Sequence, residues 1–98
     1  MNLSDATDTA TMIADGHAFD KHVIELKEFA GISDRSQFGQ LIFSILTRPD
    51  LHRALERGRE AYWGENHQTV VIVDRVSEFG GTAFKPKNGK QYFLFGLH

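Results

Sequence analysis

The chain has 98 residues, 41% of them hydrophobic and 24% charged, with 11 Lys and Arg against 13 Asp and Glu, five His and no Cys. One small globular domain fits that length and composition, and the missing cysteines exclude a disulfide framework, a Cys-ligated zinc and a cysteine nucleophile. The formal net charge of -2 divides into -5 over residues 1–34 and +3 over residues 35–98, and a locally basic region can meet a polyanion although the whole chain is slightly acidic.

No apolar run is long enough to span a bilayer, and Met1 to Asp5 lacks the basic start and apolar centre of a signal peptide, so a soluble protein is expected. Residues 1–14 are rich in Asp, Thr, Ala and Ser without a sustained apolar period. They read as a flexible leader ahead of a single domain over residues 15–98. From His17 to Phe29, the spacing of Phe19, Val23, Leu26 and Ala30 predicts a helix with one apolar stripe. A second helix begins at Asp34, whose partner Gln37 completes a capping box, and buries Phe38, Leu41, Ile42, Ile45 and Leu46. Thr47 with Asp50, Pro49, the Leu51/Leu55 face and the stop at Gly58 predict a third helix.

The second half changes character. Glu60 to Trp63 is short and aromatic, Thr69 to Val73 is β-branched, and Thr82 to Phe84 follows the Gly80-Gly81 break. Asn88-Gly89 is a hairpin-turn dipeptide ahead of Gln91 to Phe95. Four strands joined by short loops make an antiparallel meander. The expected fold is therefore α+β, with N-terminal helices packed on one face of a four-stranded antiparallel sheet and the other face open to a ligand.

Candidate chemistry falls on few residues. At 100° per residue, His22 lies within the packing arc of Phe19, Leu26 and Phe29, while His17 and Lys21 project from the far side. His22 is then either a satisfied core residue or an acid-base group held where helix meets sheet, since imidazole titrates near neutrality. In Gly80 to Pro86, paired glycines permit close backbone approach, Thr82 offers a hydroxyl and Lys85 a fixed charge, the group types that hold a phosphate; an ordinary hairpin bend explains the glycines equally well. Arg59 can offer a guanidinium and Tyr92 a phenol near strand starts. Lys85, Lys87 and Lys90 are the only charged side chains after Glu78. His17 and His22, five apart, diverge on an α-helix and do not chelate, so no metal site and no cofactor is expected. Nucleotide-cofactor and serine-hydrolase motifs are absent.

The stretches Gly16 to Val23, Arg59 to Trp63, Thr69 to Asp74, Gly80 to Pro86 and Gly89 to Phe93 together resemble the C-terminal toxin domains of bacterial contact-dependent growth inhibition and related polymorphic toxin systems. The order of helices then sheet resembles the ribonuclease superfamily that groups barnase, EndoU, colicin and RelE. The resemblance covers about residues 15–98. It implies a metal-independent endoribonuclease, directed at tRNA and neutralised by a cognate immunity protein. By resemblance, His22 matches the helix-borne acid-base residue, Thr82 and Lys85 the phosphate-contacting strand residues, and Tyr92 and Arg59 supporting catalytic positions. His17 and Lys21 belong to the same motif and, with Lys87 and Lys90, are candidate substrate contacts. Such domains form the tail of a longer exported effector acting in the target-cell cytoplasm, so Met1 is expected to be an artificial start or that of an orphan cassette. The alternative is a non-catalytic RNA- or protein-binding module using the open sheet face and the aromatics Phe84, Tyr92, Phe93 and Phe95.

Overall fold

A computed structural model describes all 98 residues. The Asn2 side chain accepts the Asp5 amide at 2.8 Å and starts α1 (Leu3–Asp15). Ala6, Thr9, Ala10, Ile13 and Ala14 are buried along it, so the segment expected to be a flexible leader is instead a packed helix. Its stripe is built of small residues, which give little apolar signal but let helices approach closely. On the facing α2 (Arg35–Thr47), a Cβ added at Gly39 would lie 3.4 Å from that of Ala14. Helix α2 is as its pattern predicts: Asp34 accepts the Gln37 amide at 2.8 Å, and Phe38, Leu41, Ile42, Ile45 and Leu46 are buried.

Four antiparallel strands follow in the order β1 (Leu51–Ala54), β2 (Glu60–Gly64), β3 (Thr69–Val73) and β4 (Gly81–Phe84). The helices pack on one face of the sheet, giving the expected α+β class. Two predicted elements are corrected. The helix expected over residues 47–58 is the edge strand β1 followed by a short turn. The Thr47 hydroxyl bonds back to the Phe43 carbonyl at 2.9 Å, so it does not cap a new helix, and backbone pairing with β2 claims Leu51 to Ala54. The strand expected over Gln91 to Phe95 is a helical turn (Tyr92–Gly96). Gly89 makes the expected bend, with a φ of 59°, but the chain then coils, because Phe93 and Leu97, four apart, must turn to one side.

That turn closes the face predicted to be open. Phe93 and Leu97 cover Ala61, Trp63, Val70 and Ile72, and Arg53 Nη1 clamps the turn by donating to the carbonyls of Phe93 (2.8 Å) and Leu94 (3.1 Å). Every residue of β3 is consequently buried. No helix is long and apolar enough to cross a membrane. Phe93→Ala should lower unfolding free energy by about 3–5 kcal/mol, whereas Phe95→Ala, at a side chain 80% exposed, should stay within about 0.5 kcal/mol. Urea denaturation of both variants measures this, and a small effect at both would contradict the covering role.

On the helix-facing side, β1 and β2 hold a titratable cluster. The Tyr62 hydroxyl donates to Glu60 Oε2 at 2.7 Å, while His52, its cross-strand partner, stacks on the phenol at 4.3 Å. The hydrogen bond from Tyr62 is the chief reason the Glu60 carboxyl lies below its ordinary value of 4.5, with His52 and Arg75 adding charge attraction against the effect of burial. Burial first, then the bond to Glu60, raises the Tyr62 phenol well above its ordinary 10.0. As pH falls below 4.5 the unfolded chain takes up the Glu60 proton first, so this contribution is present above that value and lost as pH drops through the folded one. The phenol's contribution is present below pH 10.0 and lost above it. Tyr62→Phe should therefore flatten both the acid and the alkaline limbs of stability measured by thermal melts across pH, and unchanged limbs would refute the coupling.

Candidate functional site

The segment after α1 is helical in an unusual way. His17 and Ala18 lead into a π-helical stretch (Phe19–Glu25), and the Leu26 amide donates to the Lys21 carbonyl five residues back at 2.9 Å. Bonding at i→i+5 widens the turn, and such insertions cluster at functional sites. Residues five apart, which diverge on an α-helix, are here carried toward one side. His17, Lys21 and His22 accordingly line one groove of about 380 Å³ with Ser77 and Thr82. The expectation that His17 and Lys21 face away is corrected by this register.

Beyond the π-helical stretch, Lys27 adopts a left-handed backbone (φ 51°), and the Glu28 amide donates to the His22 carbonyl at 2.9 Å. This reversal returns the Glu28 side chain to its own helix. Its Oε2 lies 2.7 Å from His22 Nδ1, and its Oε1 accepts the Lys85 backbone N–H at 2.8 Å. An ionised carboxylate only accepts, so Nδ1 carries a proton, and the tautomer this bond selects for a neutral imidazole has its lone pair on Nε2. His22 is 9% exposed, and Nε2 has no partner in the chain. Because no fully buried side-chain nitrogen or oxygen is left unpaired, Nε2 keeps some contact with solvent, and His22 lines the groove. Phe84 stacks on the imidazole at 5.5 Å and fixes its plane.

Thr82, half-buried on β4, lines the groove. Its preceding glycines answer to the fold: a Cβ at Gly81 (φ +134°) would lie 1.9 Å from the Ile72 carbonyl oxygen of β3. Lys85 is adjacent, but it meets the site through its backbone N–H, while its ammonium lies 5.3 Å over the Phe29 ring. Tyr92 stands one ring removed from His22, edge-on to Phe84 at 5.7 Å. Arg59 is not brought to this groove: its Nε and Nη2 donate to the carbonyls of Glu56 (3.3 Å) and His98 (3.2 Å). Lys87 is exposed outside it, and Lys90 pairs with Glu65 at 3.2 Å. Hydrogen bonds from Trp63, then Gln68 and Lys90, hold that carboxyl below its usual range. Of the aromatics proposed for binding, Phe93 is buried and only Phe95 is widely exposed.

Glu28 and Ser77 are site residues that sequence reasoning missed. Glu28 stands six residues after His22, a spacing that belongs to no helical face, and Lys27 carries none of the Gly or Asn signal that marks a left-handed turn. Lys21 is the one fixed charge lining the groove. Asp20, beside Lys21 in sequence, is drawn away to Arg35 Nη2 at 3.0 Å, and Lys21 has no carboxylate within ion-pairing distance. No three His, Asp or Glu side chains converge as metal ligands would. The assembled groups are two imidazoles, one backed by a carboxylate, an ammonium and a hydroxyl. Such a set can remove one proton, supply another and bind an anion between them. Among known proteins, the chain matches no family model and no curated sequence significantly.

Proposed function

We propose that the protein is a metal-independent endoribonuclease that cleaves RNA, with tRNA as the leading substrate, by internal transesterification. The observation that carries this reading is the Glu28–His22 hydrogen bond of 2.7 Å, which frees Nε2 on a groove shared with His17, Lys21 and Thr82. His22 Nε2 takes the proton of a ribose 2'-hydroxyl as that oxygen attacks phosphorus. The phosphorane charge is met by the Lys21 ammonium and the Thr82 hydroxyl. Protonated His17 gives its proton to the departing 5'-oxygen, leaving a 2',3'-cyclic phosphate on one fragment and a 5'-hydroxyl on the other. Glu28 acts as a positioning residue for the ring, the role a carboxylate plays behind a catalytic imidazole elsewhere. Lys85 contributes the amide that orients Glu28.

The likeness to contact-dependent inhibition and polymorphic toxin domains supports the biological setting. In that setting the chain is the toxic tail of an exported effector, acts in the target-cell cytoplasm and is blocked by a cognate immunity protein. Expression in bacteria without that inhibitor should arrest growth.

Purified protein incubated with total tRNA in EDTA should yield fragments ending in 2',3'-cyclic phosphate, and His22→Ala should reduce the rate by about 10²–10⁴-fold. Glu28→Gln is the finer probe. Glutamine presents one acceptor and one donor where the site presents two donors, so either the Lys85 amide loses its partner or the imidazole takes the wrong tautomer. A loss of kcat on the order of 10²-fold or more at unchanged circular dichroism is expected. RNA left intact in all buffers, or cleavage indifferent to His22→Ala, would overturn the assignment.

A further inference from the structure

A second groove, of about 330 Å³, lies beside the first and is lined by Arg57, Arg59, Asp74, Val76 and Ser77. Ser77 lines both, so the two concavities meet at one residue of the 74–80 loop. Arg57 and Arg59, like most cations of the chain, have no Asp or Glu side chain within ion-pairing distance. Arg59 is fixed by the backbone oxygens of Glu56 and His98. Asp74 Oδ1 accepts the Val76 amide at 3.2 Å, and the groove is lined by two arginines and this one aspartate.

Arg57 also sits where a side chain is costly. Its φ of 61° and ψ of 34° are left-handed, and Gly58 follows with a φ of +73°. That conformation is disfavoured by about 1–2 kcal/mol for an ordinary residue and suits Gly or Asn better. Strain of this kind, kept at an exposed arginine beside a groove, points to a use for the guanidinium.

We infer that Arg57 and Arg59 form a second phosphate subsite of the same substrate channel, holding a backbone phosphate of the RNA while the scissile one lies at His22, Lys21 and Thr82. This rests on the endoribonuclease reading and adds to it a preference for polynucleotides over the shortest substrates. A dinucleotide carries no second phosphodiester and cannot use the subsite. An octanucleotide can, and each phosphate contact also contributes to the salt dependence of binding.

The test compares kcat/KM for a dinucleotide and an RNA octanucleotide in wild type and Arg57→Asn, a variant whose backbone suits the left-handed position and should melt no lower than wild type. Arg57→Gly serves as a second variant of the same kind. Octanucleotide cleavage should fall about tenfold, its log–log salt slope should shrink by about one, and dinucleotide cleavage should be unchanged. Equal losses on both substrates, or none on either, would overturn the subsite. Should wild type cleave neither, anisotropy of a fluorescent 2'-O-methyl octanucleotide separates the two claims. Salt-dependent binding weakened by Arg57→Asn would uphold the subsite while the nuclease reading falls, and binding that is absent or unaltered would sink the subsite too.

Discussion

The Glu28 carboxylate is the contact on which the site's geometry turns. Its two oxygens serve two groups 63 residues apart in sequence, the His22 imidazole and the Lys85 amide, so one side chain ties the π-helical stretch to the end of β4. Both bonds are charge-assisted, and each is worth roughly 1.5–3 kcal/mol where water is largely excluded. Exposure of the Glu28 side chain is 18%, low enough for that condition to hold in part. The ring cannot rotate about its own axis without breaking the bond at Nδ1, and cannot tilt without leaving Phe84. Phe84 in turn is braced by Tyr92. A carboxylate sets which nitrogen is protonated, and two aromatic rings set where the other nitrogen points.

Covering both faces of the sheet decides where a site of this kind can be. Helices α1 and α2 bury Tyr62, Val71, Val73 and Ala83 on one side, and the C-terminal turn buries Trp63, Val70 and Ile72 on the other. No sheet face remains for a ligand. The groove lined by His17, Lys21, His22 and Thr82 lies at its rim, where β4 is an edge strand and the π-helical stretch and the 74–80 loop run alongside it. An edge strand is a hazard for aggregation unless something blocks it. Here the strand is short, and Pro86 follows with no N–H to donate, while Lys85 directs its amide to Glu28. The device that protects the edge is also the device that holds the imidazole.

Legibility in the sequence followed the strength of the apolar signal. Helix α2 is readable from the period of its Phe, Leu and Ile, β3 from its β-branched run, β2 from its short aromatic stretch and β4 from the Gly80-Gly81 break before it. Helix α1 was hidden because Ala6, Ala10 and Ala14 achieve burial by closeness and not by size. Strand β1 was misread because Leu51 and Leu55 satisfy a helical spacing as well as an alternating one. The residue between them, Arg53, looks polar but turns inward to cap carbonyls. The C-terminal aromatics suggested a strand, and only the partner surface around Trp63 reveals that Phe93 and Leu97 form the buried pair. At the site, His22 and Thr82 could be found from residue type and neighbourhood. A wheel of 100° per residue places His17 and Lys21 on the wrong side, because it assumes the α register that this segment does not keep. Glu28 could not be found at all, since its approach depends on a left-handed lysine that sequence gives no reason to expect.

A weakly acidic chain is a poor nonspecific binder of nucleic acid, and the distribution of ion pairs sharpens that point. Asp20 and Glu65 neutralise Arg35 and Lys90, whereas Lys21, Arg57 and Arg59 stay unpaired beside two grooves that share Ser77. Both grooves thus carry cationic side chains that no Asp or Glu side chain pairs. Three of the four aromatic rings proposed for stacking on bases are committed elsewhere, Phe93 to the core and Phe84 and Tyr92 to the imidazole and to each other, which leaves Phe95 alone widely exposed. On the endoribonuclease reading, discrimination would then rest on whether a phosphate path of the right curvature can reach both grooves, with little contribution from base stacking. A folded RNA presents such a path in a fixed shape, and a flexible strand must be ordered to do so at an entropic cost. The same economy of charge that makes the protein look unsuited to nucleic acid would therefore favour a structured substrate over an arbitrary one.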